Sequence, residues 1–256
     1  MRIKFLLRNI FIYTPVIYRL YQNYGFHKFR KIVNPYYEKE FKFLARLLNS
    51  DFNPNCIVDV GGNLGQSTLA MKEVFKPTEM IIFEPNPLMA AECRRIRETD
   101  GPKINVEEIA LGRENSVNLL FTPIYKGITF WGLASQNKEQ IGVFFGAHNI
   151  WNYKSSKFRL IENSIIVRTL DSYNIKPNLI KIDVEGMELE VLAGAEKTII
   201  ESLPVLMVEC TGTHSEVKKM LEAKGYKNFE LENSEWVASQ GKKPNQIFLP
   251  GYFDVI

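Results

Sequence analysis

Two groups of acidic residues, each set against glycine, mark where this chain could do chemistry. The first begins at DVGGNLG, Asp59 to Gly65, between a short apolar run and an amphipathic one. Glycines at 61, 62 and 65 let the backbone turn tightly and come close to a ligand. Glu84 ends the next apolar run, 22 residues after Gly62. A carboxylate at that point can accept hydrogen bonds from both hydroxyls of a ribose. The second group is LIKIDVEGMELEVLAGAEKTI, which places Asp183 and Glu185 where an apolar strand meets a helix. Two acids there cost desolvation unless they have partners. The plain alternative for them is a helix-start role that complements the dipole.

The glycine loop departs from the dinucleotide pattern. G-G-N-L-G lacks the G-x-G-x-x-G spacing that seats a pyrophosphate. Asp59, just before the loop, suits a cation better than a phosphate. S-adenosylmethionine carries an amino group and a sulfonium and no phosphate, so it is the expected cofactor. A nicotinamide-dependent oxidoreductase is the competing enzyme. A methyltransferase-like binding protein without turnover is the competing non-enzyme.

These residues need a scaffold that brings strand ends together, and the pattern from Cys56 onward supplies one. CIVDV, MIIFE, a weaker strand around Asn105–Ala110, LIKIDV and PVLMVEC read as strands. Helices are expected over Leu64–Phe75, Pro87–Glu98 and Met187–Ile200. A capping-box pair, Thr213 and Glu216, opens another helix. Late strands around Phe229 and at NQIFLP bring the count to seven. Short apolar strands alternating with amphipathic helices imply a mostly parallel sheet covered on both faces, an α/β, Rossmann-like fold. Residues 114–170 break the rhythm and read as an insertion between core strands 3 and 4. Its Trp131, Phe144, Phe145, His148 and Trp151 either form an acceptor pocket or cover a sheet edge.

The sequence divides at about residue 50. Residues 1–50 hold ten Lys and Arg against two Glu, a balance of +8, so the rest carries −5 of the net +3. That total is too small to argue for nucleic acid. A helix is expected over Tyr36–Leu48, with Phe41, Leu44 and Leu48 on one face. Residues 2–23, plotted at about 100° per residue, gather Arg2, Lys4, Arg8, Asn9, Arg19, Gln22 and Asn23 within roughly 160°. That is the pattern of an interfacial helix, or of one packed on its own domain. Arg8, Pro15 and Arg19 interrupt the segment too often for a signal peptide or a membrane span. The three cysteines show no metal spacing, and Cys56 and Cys210 read as small buried hydrophobes, so a cytoplasmic location is expected. The arm either contacts the inner face of a membrane or a lipid-linked acceptor, or packs on its own domain or on a second subunit.

Together, IVDVGGNLGQS, IIFEPNP, EIALG, GLASQ, TLDSY, LIKIDVEGMELEVLAGA and PVLMVEC resemble the FkbM family of methyltransferases, over about Cys56–Leu249. The family motif usually has Ala where Gly62 stands. The resemblance implies O-methylation of a hydroxyl on a saccharide, glycoconjugate or other natural product, with a small-molecule or glycan acceptor as partner. It implies that Asp59, Gly61, Asn63 and Gly65 hold the methionine portion of the cofactor, with Gly62 in the same loop. Glu84 would bind the ribose, Pro85 and Asn86 would shape the adenine edge, and Ala110 and Leu111 would contact adenine. Asp183 would sit beside the sulfur or the amino group. Candidates for the base are Asp183, Glu185, Glu209 and His214. Asp183, Glu185 and Glu209 could also offer oxygens to Mg²⁺, although service to the cofactor and to hydrogen-bond networks is the expected role of these acids.

Overall fold

The computed structural model describes residues 39–48, 52–98, 101–145, 150, 152–210, 212–232 and 235–253. The basic arm over residues 2–23, His148 and Trp151 lie outside the described residues. Helical residues 39–47 (α1) bury Phe41, Leu44 and, just beyond, Leu48. The core then alternates: β1 (Cys56–Val60), α2 (Gln66–Phe75), β2 (Glu79–Phe83), α3 (Pro87–Arg94) and β3 (Lys103–Glu107). An inserted sheet follows, with β4 (Ala110–Leu111), β5 (Ser116–Tyr125), β6 (Ile128–Thr129), α4 (Lys138–Phe144) and β7 (Phe158–Arg168). The core resumes with β8 (Leu179–Ile182), α5 (Glu188–Ala193), α6 (Glu196–Ser202), β9 (Val205–Glu209) and α7 (His214–Glu222). It closes with β10 (Tyr226–Glu232), β11 (Glu235–Ala238) and β12 (Asn245–Pro250).

The main sheet has eight strands in the order β11-β10-β12-β9-β8-β1-β2-β3. From β3 to β9 every pairing is parallel. The central strands are near-continuous runs of Ile, Leu and Val, as strands buried on both faces require. One face packs Val58, Val60, Ile180, Ile182, Leu206 and Val208 against Val191, Leu192 and Ile199 of α5 and α6 and Val217 and Leu221 of α7. The other packs Ile57, Met80, Ile82, Leu179 and Met207 against α1 and α2. The order reverses direction at β1, which opens a crevice beyond the carboxyl ends of β1 and β8. This is a Rossmann-like fold.

The structure corrects the expected outline in four places. The sheet is mostly parallel, as expected, but has eight strands where seven were expected, with an antiparallel flank. β12 inserts antiparallel between β9 and β10, and the short, half-exposed EWVA forms the extra edge strand β11. The third core strand stops at Glu107, and Ala110–Leu111 pairs with β7 in the inserted sheet, so the insertion begins four residues earlier than expected. The helix expected over Met187–Ile200 is two. At the break, a Cβ on Gly194 would lie 1.9 Å from the Gly112 carbonyl oxygen. Asp171 of the TLDSY segment then caps α6, its carboxylate accepting the N–H groups of Lys197 and Thr198 at 3.0 and 2.8 Å and the Thr198 hydroxyl at 2.8 Å. Finally, the capping box does not form. Thr213 makes no side-chain cap, and Glu216 accepts the hydroxyl of Ser215 instead.

In the insertion, β5 and β7 pair along ten residues. Tyr125, Phe130 and Phe145 are buried with Ile128, Ile141 and Ile150 in a separate core. Most of the described aromatics are therefore spent on the insertion's own stability. Trp131 remains half-exposed. All three cysteines are free; Cys93 and Cys210 are buried, whereas Cys56 is only half-buried, not fully as expected.

Candidate functional site

Register puts the acidic residues in one line. Phe83, Val60, Ile182 and Val208 are paired in sequence across four neighbouring strands. The next residue on each strand, Glu84, Gly61, Asp183 and Glu209, therefore forms the row at the carboxyl edge. This edge is where open α/β sheets bind ligands.

The glycine loop is shaped by close packing. Gly61 has φ +82°, and a Cβ there would lie 1.9 Å from the Asp183 carbonyl oxygen. Gly65 has φ +76°, with Ile96 behind it at 2.2 Å from a Cβ. Gly62 is closed to a side chain by Ile82, at 2.3 Å. Asn63 between them takes the left-handed conformation, φ 47°. The loop is stitched to β2 by the N–H of Gly61 donating to the Phe83 carbonyl at 2.9 Å.

Glu84 is 7% exposed. One carboxylate oxygen accepts the N–H of Asn63 at 2.8 Å and the other that of Asn86 at 2.8 Å. Burial pushes its pKa up to about 7, against the opposing effect of these two hydrogen bonds. Each oxygen keeps a second lone pair, so the group can still receive a vicinal pair of hydroxyls. Pro85 is half-buried, and Asn86 is buried as the N-cap of α3, its side chain accepting the N–H of Leu88 at 3.1 Å. Ala110 and Leu111 are buried at the start of the insertion, in two different apolar clusters.

Asp59 lies one row inside the edge and is fully buried. Its Oδ2 accepts the hydroxyls of Ser67 and Thr68 from α2 at 2.8 and 2.6 Å. Its Oδ1 has no hydrogen-bond partner and faces the Lys181 ammonium at 3.6 Å. The structure thus places Asp59 beneath the loop, holding α2 against the sheet. Lys181 is the residue that sequence reasoning missed. It is 5% exposed in the middle of β8 and also pairs with Asp183 at 3.1 Å. A lysine inside LIKID was the available signal, since a buried ammonium needs a charged partner.

Asp183 is 26% exposed and stands beside Gly61. Glu185 follows in the left-handed region, φ 51°, and its carbonyl accepts the hydroxyl of Ser135 at 2.7 Å. Beneath this turn Glu188 is buried and accepts the Gly186 N–H at 2.9 Å; burial raises its pKa. Glu209 shares the edge row and is half-buried. His214 is engaged elsewhere. Its Nε2 lies 3.1 Å from Asn228 Oδ1 and 3.2 Å from Ser239 Oγ. Asn228 stands in the row of Leu206, two residues short of the row of Val208. The edge therefore gathers the glycine loop, Glu84, Asp183, Glu185 and Glu209, and His214 belongs to the antiparallel flank. Among the described residues no group of three or more His, Cys, Asp and Glu is placed to hold a metal ion, and no helix is long and apolar enough to cross a membrane.

Comparison with known proteins gives the site its context. Residues 59–228 match the model of the methyltransferase FkbM domain. Methyltransferase 1 of Beauveria bassiana is 29% identical over 191 residues, which cover 70% of this chain and 75% of that protein. Methyltransferase sdnD of Sordaria araneosa is 24% identical, covering 76% and 81%. Among solved structures, a methyltransferase FkbM from Methylobacillus flagellatus KT aligns with 77% of this chain and 43% of its own, at 17% identity and a TM-score of 0.49.

Proposed function

Since the chain belongs to the methyltransferase FkbM domain family, we propose that it moves a methyl group from S-adenosylmethionine to a hydroxyl of a saccharide, glycoconjugate or other natural product. The observation that carries the cofactor reading is Glu84: a buried carboxylate at a strand end, held by two backbone N–H groups and retaining capacity for two more donors. Gly61 supports it, because the space a side chain would need is taken by the Asp183 carbonyl, so only bare backbone lines the loop there. The donor set fits a ligand that is cationic at one end and a ribose at the other.

The cofactor supplies an electrophilic methyl group on a sulfonium. The chain's own residues do the rest. Glu84 receives the ribose hydroxyls. Gly61, Gly62, Asn63 and Gly65 shape the backbone beside the methionine portion. Lys181, anchored by Asp59, draws one oxygen of Asp183 towards it and so sets the direction of the other. Asp183 or Glu185 takes the acceptor proton, since both lie on the turn beside the loop and His214 Nε2 is already placed between Asn228 and Ser239. Alignment of donor and acceptor contributes most of the acceleration; proximity alone can supply about 7–11 kcal/mol. The half-exposed Trp131 offers a surface for a sugar face, which supports the saccharide reading.

Calorimetry with S-adenosylhomocysteine against NAD tests the cofactor, and only the former should bind. Mass spectrometry of candidate glycans and polyketide-type natural products should then show a gain of one methyl group on oxygen. Methylation confined to protein, nucleic acid or nitrogen would overturn the acceptor class.

A further inference from the structure

One short segment of the insertion touches both parts of the edge. The turn Trp131–Leu133 brings Gly132 so near the glycine loop that a Cβ there would lie 3.2 Å from the Asn63 side-chain nitrogen. Three residues after Gly132, Ser135 is 2% exposed and fixed on every side. Its N–H and carbonyl exchange hydrogen bonds with Phe121 at 3.0 and 2.9 Å. Its hydroxyl accepts the Asn137 N–H at 3.0 Å and donates to the Glu185 carbonyl at 2.7 Å.

Glu185 is the point where such a bond matters. A non-glycine residue in the left-handed region persists only when its surroundings over-determine it. Here the turn is held from two directions. Glu188 accepts the Gly186 N–H from below, and Ser135 donates to the Glu185 carbonyl from the insertion. Residues 132–135 are one short run of chain that stands beside Asn63 at one end and is hydrogen-bonded to Glu185 at the other. It links the loop assigned to the cofactor with the turn assigned to the acceptor proton.

Building on the methyltransferase reading, we propose that Ser135 is a positioning residue for methyl transfer: it ties the inserted sheet to the Asp183–Gly186 turn, so that residues 131–135 form a wall whose placement answers to the cofactor loop. The wall is a part of the insertion, and the acceptor meets it beside the transferable methyl. Cofactor on the glycine loop therefore settles this wall and, through Ser135, the turn.

Hydrogen exchange on the full chain, with and without S-adenosylhomocysteine, tests this. In the wild type the ligand should slow exchange at 61–65, at 131–137 and at 184–187. In Ser135→Ala, ligand affinity should stay within about twofold and protection at 61–65 should remain, while the ligand-dependent protection at 184–187 falls by about tenfold. A bond with only a structural role would speed exchange in the free protein and leave the ligand-dependent difference intact. Gly132→Ala approaches the wall from its other end. Its new Cβ presses on Asn63, so affinity for S-adenosylhomocysteine should fall by about tenfold with the fold retained. Ligand-dependent protection at 184–187 that survives in Ser135→Ala overturns the proposal, as does a Gly132→Ala variant that binds like wild type. If the wild type shows no ligand binding at 61–65, the cofactor reading fails, and this proposal falls with it.

Discussion

Two buried glutamates on opposite flanks of one sheet behave differently. Glu84 sits at the carboxyl edge of β2, and its two oxygens each accept one backbone N–H. Burial outweighs those bonds and lifts its pKa to about 7. Glu230 sits on β10 in the antiparallel flank, fully buried. Burial opposes its charge too. Hydrogen bonds from Gln246 and from the N–H groups of Lys243, Lys242 and Gln240 outweigh that and hold its pKa below the ordinary value. The number of donors decides the difference. Ser239, Gln246, Lys242 and Lys243 all donate to Oε2 of Glu230 and shape the β11–β12 loop, while its Oε1 is buried without a hydrogen-bond partner. Glu84 has one donor on each oxygen and stands at the carboxyl edge. A buried carboxylate with a raised pKa at the carboxyl edge of a parallel sheet is a better pointer to a binding site than burial by itself.

The sharpest way to test this contrast is through a glycine on each flank. Gly61→Ala would force a Cβ against the Asp183 carbonyl in a left-handed backbone, and we expect S-adenosylhomocysteine binding to be lost, with a stability cost of about 2–4 kcal/mol. Gly241→Ala, at φ +74°, would meet the His214 ring at 2.6 Å, which is a side chain able to shift. It should cost about 1–2 kcal/mol in urea denaturation and leave cofactor affinity unchanged.

Replacing the carboxylates themselves should give the next largest effect. Glu84→Ala should weaken S-adenosylhomocysteine binding by about 2–3 kcal/mol in calorimetry, because charge-assisted hydrogen bonds to the ribose are lost. Glu230→Ala should lower the melting temperature instead, by leaving the Lys242 and Lys243 N–H groups unpaired, with cofactor affinity intact. Equal effects on affinity from both variants would erase the distinction between the two flanks.

The two groups should also respond oppositely to pH. The folded-state pKa of Glu84 lies above its ordinary 4.5, so the folded protein holds an extra proton between about 4.5 and 7. Stability from this group is present below that window and is lost as pH rises through it, by at most about 1.4 kcal/mol per pH unit. The melting temperature of Glu84→Gln relative to wild type should therefore rise between pH 5 and pH 8. Glu230 has a lowered pKa. Its contribution is present above the ordinary carboxylate value and disappears as pH falls through the folded value. The deficit of Glu230→Gln should accordingly shrink in acid.

The smallest effect concerns ligand affinity. Ribose hydroxyls donate best to an ionised Glu84. Affinity for S-adenosylhomocysteine should strengthen by up to about tenfold from pH 6 to pH 8, following the fraction of ionised carboxylate. A flat profile across that range would show that the ribose does not rest on Glu84.

The sequence by itself determined the strand–glycine–helix unit at Cys56–Phe75, the acid closing β2, and the two acids after β8. These depend on neighbours in the chain: apolar runs long enough for a strand, glycines where the backbone turns back, carboxylates at the strand ends. Parallel alternation then implied that those ends share one edge. The tertiary structure decided what is held from afar. Lys181 finds Asp59 directly opposite on the neighbouring strand, which no spacing along β8 reveals. Asp171 caps a helix 25 residues further on, and Gly112 breaks its predecessor at Gly194. Ser135 reaches Glu185 from a different sheet, and Thr213 turns from its own helix towards Glu188. Each depends on groups far apart in sequence meeting at hydrogen-bond distance, and that is set by how the sheets and helices pack, not by the residues beside them.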